Sequence, residues 1–111
     1  MELKEYRQGA ALVLAPQGRL DARSASGFEE RLLGLITAGE RSILLDFAQL
    51  DYISSTGLRT LLTASKRLNE ADGRFVLCGL TANVRDVFRI SGFDTILEIH
   101  PDAPTALAAL A

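Results

Sequence analysis

The sequence has 111 residues, of which 48% are hydrophobic and 23% charged, so residues 1–111 are expected to form a single folded domain. The formal net charge of −2, with basic residues scattered along the chain, gives no electrostatic reason to expect nucleic acid as a partner. One cysteine excludes an internal disulfide, no apolar run approaches the roughly 18 residues of a membrane span, and no signal peptide is recognisable, so we expect a cytoplasmic protein.

Two strands and a helix are predicted in the first third of the chain. Residues 3–7 fit an edge strand, which turns at Gln8-Gly9 into the apolar run ALVLA at 11–15. Apolar side chains at helical spacing then predict a helix between Ala22 and Ile36, which Gly39 would end.

The rest of the chain alternates strands and helices. Strands are predicted at 43–47, 75–80 and 97–100, and the first two are continuously apolar, as expected for strands buried on both faces. A short loop should follow residue 47, and a helix should begin around Gly57 or Leu58. A third helix should run from an N-cap at Thr81 to Gly92, and residues 103–111 should form a terminal helix. The order β-β-α-β-α-β-α-β-α predicts an α/β domain with helices packed on the sheet.

Residues 50–62, LDYISSTGLRTLL, are the most distinctive segment. Ser54, Ser55 and Thr56 lie where the predicted helix begins, and two interpretations of them remain open. One hydroxyl can cap the first turn, which needs no more than that. Alternatively, the segment is a surface that tolerates a phosphate, because a helix N-terminus carries partial positive charge and free amide donors. Gly57 would then allow a partner's active site to approach closely.

The same segment, DYISSTGLRTLL after ILLDFAQL, resembles the signature of STAS-domain proteins, specifically the bacterial anti-sigma factor antagonists. Gly18-Arg19-Leu20-Asp21 resembles a second family motif, G-x-L-D at the end of the second strand. The resemblance spans essentially the whole chain and implies a mixed, mostly parallel sheet. Two positions depart from the family pattern: Ser54 stands where many relatives have aspartate, and Thr56 replaces the commoner serine.

The resemblance also implies a mechanism. Thr56 corresponds to the family's phosphate acceptor, and the unphosphorylated domain would bind an anti-sigma factor serine/threonine kinase and so free the sigma factor. Phosphorylation would abolish this binding and a PP2C-like phosphatase would restore it, so the protein would be an enzyme's substrate and no enzyme itself, with no cofactor or metal. The implied partner-binding residues are Asp21, Ser54, Ser55, Thr56, Gly57, Leu58 and Arg59.

The aspartates near these motifs allow further interpretations. Asp21 fits a helix cap as well as a docking residue. Asp46 and Asp51 could be imagined as a Mg²⁺ site with Asp21, but turn formation explains them better. The alternative function is a non-phosphorylated STAS adaptor in a transporter or ligand-sensing complex, in which Thr56 would only cap a helix.

Overall fold

The computed structural model describes all 111 residues and organises them around one six-stranded sheet. The elements, in chain order, are β1 (Glu2–Gln8), β2 (Ala11–Leu20), α1 (Ala25–Thr37), β3 (Ser42–Asp46), β4 (Leu50–Ile53), α2 (Ser55–Glu70), β5 (Arg74–Cys78), α3 (Ala82–Ser91), a 3-10 turn (Phe93–Thr95), β6 (Glu98–His100) and α4 (Ala103–Leu110). The predicted α/β class is confirmed, and the structure adds one strand, β4, to the predicted order.

The sheet is mixed and mostly parallel, as predicted. Its strands lie in the order β1-β2-β3-β5-β6, and β4 pairs with β2 outside this path. Only β1 is antiparallel to its neighbour. One face carries the larger apolar cluster, to which α1, α2 and α3 contribute, and the other face carries a smaller cluster closed by Ala106 of α4. None of the helices combines the length and apolarity that a membrane span requires.

Strand β2 is longer than predicted because it serves two partners in succession. Residues Leu12 to Leu14 pair with β3, and Gly18 to Leu20 pair with β4. Pro16 lies between these two stretches and opposite Leu3 of β1. The strand therefore extends beyond the predicted run at 11–15 as far as Leu20.

The prediction of a loop after residue 47 was wrong, because part of that segment forms β4. Leu50 and Ile53 are buried whereas Asp51 and Tyr52 are exposed, so the strand lacks the simple alternation by which strands are recognised. Its pairing with β2 also contains a register shift between Gly18 and Arg19. Since β4 ends at Ile53, α2 begins at Ser55, earlier than predicted.

The remaining helices lie close to their predicted positions. Ala22 lies outside α1, which starts at Ala25. Gly92 ends α3 in the left-handed region with φ 80°, as predicted for a C-terminal stop. Thr81 occupies the N-cap position of α3, but its hydroxyl donates to the carbonyl of Leu50 at 2.8 Å and makes no cap bond. That bond joins the start of α3 to the strand that leads to α2.

Candidate functional site

The first of the three hydroxyl residues, Ser54, is the cap of α2. Its Oγ accepts a hydrogen bond from the N–H of Gly57 at 3.1 Å, and its carbonyl accepts one from Leu58. Its own N–H donates to the carbonyl of Leu20 at 2.9 Å. Ser54 therefore provides an acceptor for a free N–H group of the first turn of α2, and it attaches the start of this helix to the end of β2.

The next two hydroxyl residues are left unused by the fold. Ser55 is exposed and Thr56 half-buried, and neither hydroxyl hydrogen-bonds within the chain, whereas the Thr56 carbonyl accepts from the Thr60 hydroxyl at 3.3 Å. The first N–H groups of a helix have no partner inside it. Because the Oγ of Ser54 accepts from Gly57, the N–H groups of Ser55 and Thr56 have no partner within the chain.

Gly57 has a structural role that differs from the expected one. It is buried, and a Cβ built on it would lie 2.8 Å from Cγ1 of Ile53 and 2.9 Å from the carbonyl oxygen of Leu20. The missing side chain therefore allows α2 to pack tightly on β2 and β4, whereas the sequence suggested an open approach for a partner.

The two residues after Gly57 face opposite ways. Leu58 is 5% exposed and belongs to the larger apolar cluster. Arg59 is exposed on the outer side of α2. Of the two, only Arg59 presents its side chain at the surface.

Asp21 comes directly after β2, and the pairing of Leu20 with Ile53 brings it beside Ser54. Its Oδ1 accepts hydrogen bonds from the N–H groups of Arg23 at 3.0 Å and Ser24 at 3.3 Å, and these bonds hold the pKa of its carboxyl below the ordinary value. Asp21 thus closes the turn before α1, whose N-cap is Ser24. The prediction that Asp21 caps the first helix was wrong, because α1 begins at Ala25 and Asp21 closes the turn that leads to it. Its side chain stays 29% exposed.

Sequence reasoning missed two residues next to this site. The guanidinium of Arg19 lies over the ring of Tyr52, 4.1 Å from its centroid, and its Nε is 3.7 Å from Oδ2 of Asp21. Both residues belong to the two motifs already singled out. Their contact depends on the register between β2 and β4, which the sequence alone does not reveal.

The acidic residues of the neighbourhood do not converge on a metal site. No group of three or more histidine, cysteine, aspartate or glutamate side chains is placed to hold an ion. Asp46 instead accepts a hydrogen bond from the N–H of Ala48 at 3.0 Å, which is the turn-forming role expected for it.

Comparison with known proteins identifies the family. Residues 3–106 match the family model described as the STAS domain. The chain belongs to the STAS domain family. This STAS chain is 38% identical over 109 residues to BtrV of Bordetella bronchiseptica, a candidate anti-sigma factor antagonist, and the match covers 98% of this chain and 94% of BtrV.

Two solved structures share the STAS fold. A Thermotoga maritima protein described as a candidate anti-sigma factor antagonist superposes with a TM-score of 0.92 at 19% identity, over 97% of this chain and 93% of that one. The Bacillus cell fate determinant SpoIIAA, solved in its phosphorylated form, superposes with a TM-score of 0.76 at 20% identity, over 99% of this chain and 100% of that one.

Proposed function

We propose that this STAS domain is an anti-sigma factor antagonist controlled by phosphorylation of Thr56. The unphosphorylated form binds an anti-sigma factor serine/threonine kinase, which then releases its sigma factor. Phosphorylation ends this binding, and a PP2C-like phosphatase restores it. The similarity to BtrV along nearly the whole chain supports the class of function.

One observation makes Thr56 available as the acceptor, and its place directly before Gly57, as in the family motif, favours it over the equally free Ser55. Ser54 alone supplies the helix cap, so the hydroxyl of Thr56 is not needed for folding and has no partner within the chain. The backbone on both sides of Thr56 is nevertheless fixed. The N–H of Ser54 donates to the carbonyl of Leu20, and Gly57 packs against Leu20. A free hydroxyl on a fixed backbone suits a kinase, which must hold its substrate in one geometry.

Charge explains why phosphorylation would end binding. A phosphothreonine carries about −1.5 to −2 charges and three acceptor oxygens. At the helix N-terminus the free protein tolerates this charge, since amide donors are available there. Within a closed protein interface, a charge without a partner is costly to bury, so the complex dissociates while the fold persists.

The docking surface consists of the residues around this hydroxyl. Asp21, Ser55, Thr56 and Arg59 offer side chains at the surface. The other members, Ser54, Gly57 and Leu58, hold the backbone in place beneath them.

The experiment is to measure the intact mass of the protein after incubation with ATP and a candidate kinase. This kinase is the one encoded by a gene next to that of the protein. Wild type and Ser55→Ala should each gain one phosphate, and Thr56→Ala should gain none. Ser55→Ala is the matched control because it removes the neighbouring free hydroxyl and leaves the cap intact. The purified phosphoprotein should then fail to bind the kinase, whereas Thr56→Ala should bind it in the presence of ATP.

Two results would contradict the proposal. Phosphate on Thr56→Ala would place the acceptor elsewhere. No phosphate on wild type, with a kinase shown to be active on another substrate, would favour the non-phosphorylated adaptor.

A further inference from the structure

The outer edge of β1 is the longest unpaired strand edge in the molecule. β1 pairs only with β2, and six of its seven residues are exposed. The opposite edge of the sheet, β6, has only three residues. Unpaired edges offer main-chain hydrogen-bonding groups to another chain, and proteins usually blunt them with charges or short strands.

The two sides of β1 differ in chemistry. Glu5 and Arg7 lie opposite Leu14 and Leu12 of β2, on the face covered by α1. There Glu5 accepts from Arg31 at 2.7 and 2.6 Å, and Arg7 pairs with Glu40.

On the other face, Tyr6 lies opposite Val13, which belongs to the cluster closed by α4. The side chain of Tyr6 extends beyond that cluster. The residue is 45% exposed and is one of five large apolar residues left at the surface.

We propose that β1 binds β1 of a second copy of this chain, antiparallel, with the two-fold axis passing at Tyr6. In this register Glu5 lies opposite Arg7 of the second copy, and Arg7 lies opposite Glu5. Tyr6 faces its own counterpart, and Lys4 faces Gln8. Opposite charges and aromatic pairs directly across two strands are favourable contacts.

The other symmetric registers of β1 are poorer. Axes at Lys4, Glu5 or Arg7 place that residue against its own counterpart, so like charges oppose each other. An axis at Leu3 avoids like charges, but it leaves Tyr6 beyond the residues that pair between the two copies. It also centres the contact on Leu3, which already packs on the apolar core. Only the axis at Tyr6 joins complementary charges and also covers the exposed ring.

The dimer extends ion pairs that already exist. On the α1 face, a row of alternating charge would run from Arg31 through Glu5 to Arg7 and Glu40 of the second copy. Networks of this kind stabilise more than isolated surface pairs do. On the α4 face, the Tyr6 rings would cover one another, and main-chain bonds would continue the sheet into the second copy.

The arrangement leaves both candidate sites free. Glu2 lies opposite Gln17, so the N-terminal end of β1 is near Asp21, whereas Tyr6 lies midway along the strand. With a two-fold axis at Tyr6, the Thr56 surfaces of the two copies therefore lie at opposite ends of the dimer, measured along the strands. Dimer formation does not depend on Thr56, so the two proposals can fail separately.

The test is sedimentation velocity of the intact protein over a wide range of concentration. Wild type should approach twice the 12.0 kDa mass of the chain at high concentration. Glu5→Arg and Arg7→Glu should each weaken the dimer at least about tenfold, because each opposes like charges twice across the seam. The double variant Glu5→Arg with Arg7→Glu should regain much of the loss, since it restores opposite charges between copies. Circular dichroism of each variant checks that the monomer remains folded.

Cysteine cross-linking tests the register. Tyr6→Cys should form an intermolecular disulfide on mild oxidation, because the two residues oppose each other at the axis. Gln8→Cys should not, since its counterpart lies about four residues away along the seam. The native Cys78 is buried and should not react. A protein that stays monomeric, a dimer indifferent to both charge reversals, or cross-linking through Leu3→Cys in place of Tyr6→Cys would overturn the proposal.

Discussion

At the start of α2, three neighbouring hydroxyl residues have different environments. The Oγ of Ser54 is occupied by the N–H of Gly57, whereas the hydroxyls of Ser55 and Thr56 have no partner within the chain. From the sequence, a cap and a modification site compete as interpretations of the whole segment. In the structure they apply to different residues of it, since the cap uses one hydroxyl and leaves the others available.

Asp21 provides a test that separates structure from docking. Its Oδ1 receives the N–H groups of Arg23 and Ser24, and an asparagine amide oxygen can accept the same bonds. Asp21→Asn should therefore keep the melting temperature close to that of wild type while it weakens kinase binding, because only the charge is removed. Calorimetric unfolding and a titration with the kinase measure the two effects.

Asp21→Ala is the matched comparison, because it removes both the charge and the acceptor. It should weaken binding and also lower the free energy of unfolding by about 1 kcal/mol, because the N–H groups of Arg23 and Ser24 lose their acceptor. Wild-type binding by Asp21→Asn would show that the carboxylate has only a structural role.

At the scale of elements, the site depends on how closely α2 approaches β2. Gly57→Ala would place a methyl group within 3 Å of Ile53 and of the Leu20 carbonyl oxygen. We expect a loss of about 1–3 kcal/mol of unfolding free energy, as for other overpacked cores. Urea denaturation measures this loss.

Gly34→Ala in α1 is the control for Gly57→Ala. Gly34 also lies within a helix, but it is exposed, and a Cβ added there would have nothing within 4 Å. At this position alanine should stabilise the protein by roughly 0.5–1 kcal/mol through its better helix propensity. Equal effects at the two positions would mean that the packing of α2 on β2 is not tight.

Most elements were predictable because their apolar residues follow a regular period. The buried side chains of α1, Phe28, Leu32, Leu35 and Ile36, recur at helical spacing, and the buried residues of β3 and β5 form continuous apolar runs. Strand β4 was missed because its burial follows no period of two. The full length of β2 was missed because its apolar run ends at Ala15 and the residues up to Arg19 continue no apolar pattern.

The candidate site was predictable in part. Its hydroxyl run and Asp21 lie in recognisable motifs, and the structure brings the two motifs together through the bond from Ser54 to Leu20. The division of roles among the hydroxyls, the packing role of Gly57 and the contact of Arg19 with Tyr52 were not predictable. Each of these depends on distances between elements that are separated along the chain.

For the whole molecule, the charged side chains set the response of stability to acid. Hydrogen bonds from Arg31 hold the pKa of Glu5 below 4.5, and the Thr105 side chain and N–H hold that of Asp102 below 3.8. Burial raises the pKa of Glu98, but hydrogen bonds from Arg74 and His100 outweigh it and lower the pKa overall. Each carboxylate therefore stabilises the fold above its unfolded-state pKa, and the contribution is lost as the pH falls through the folded-state pKa.

We accordingly expect the free energy of unfolding to be nearly constant just above pH 5 and to decline below about pH 4.5. Urea denaturation at a series of pH values measures the decline. Asp102→Asn is the control, because asparagine can still cap α4 but does not titrate in this range. Its decline should be shallower than that of wild type, and an identical decline would remove Asp102 from the explanation.

The bond between Ser54 and Leu20 has a consequence for how a cell could use this protein. It joins two motifs that lie far apart in the sequence, so the segments that carry Asp21 and Thr56 meet only after the chain has folded. A nascent, cleaved or misfolded chain would carry the same threonine without presenting this surface. In a partner-switching circuit, the signal would then follow the number of intact molecules, and damaged copies would compete for neither the kinase nor the phosphatase.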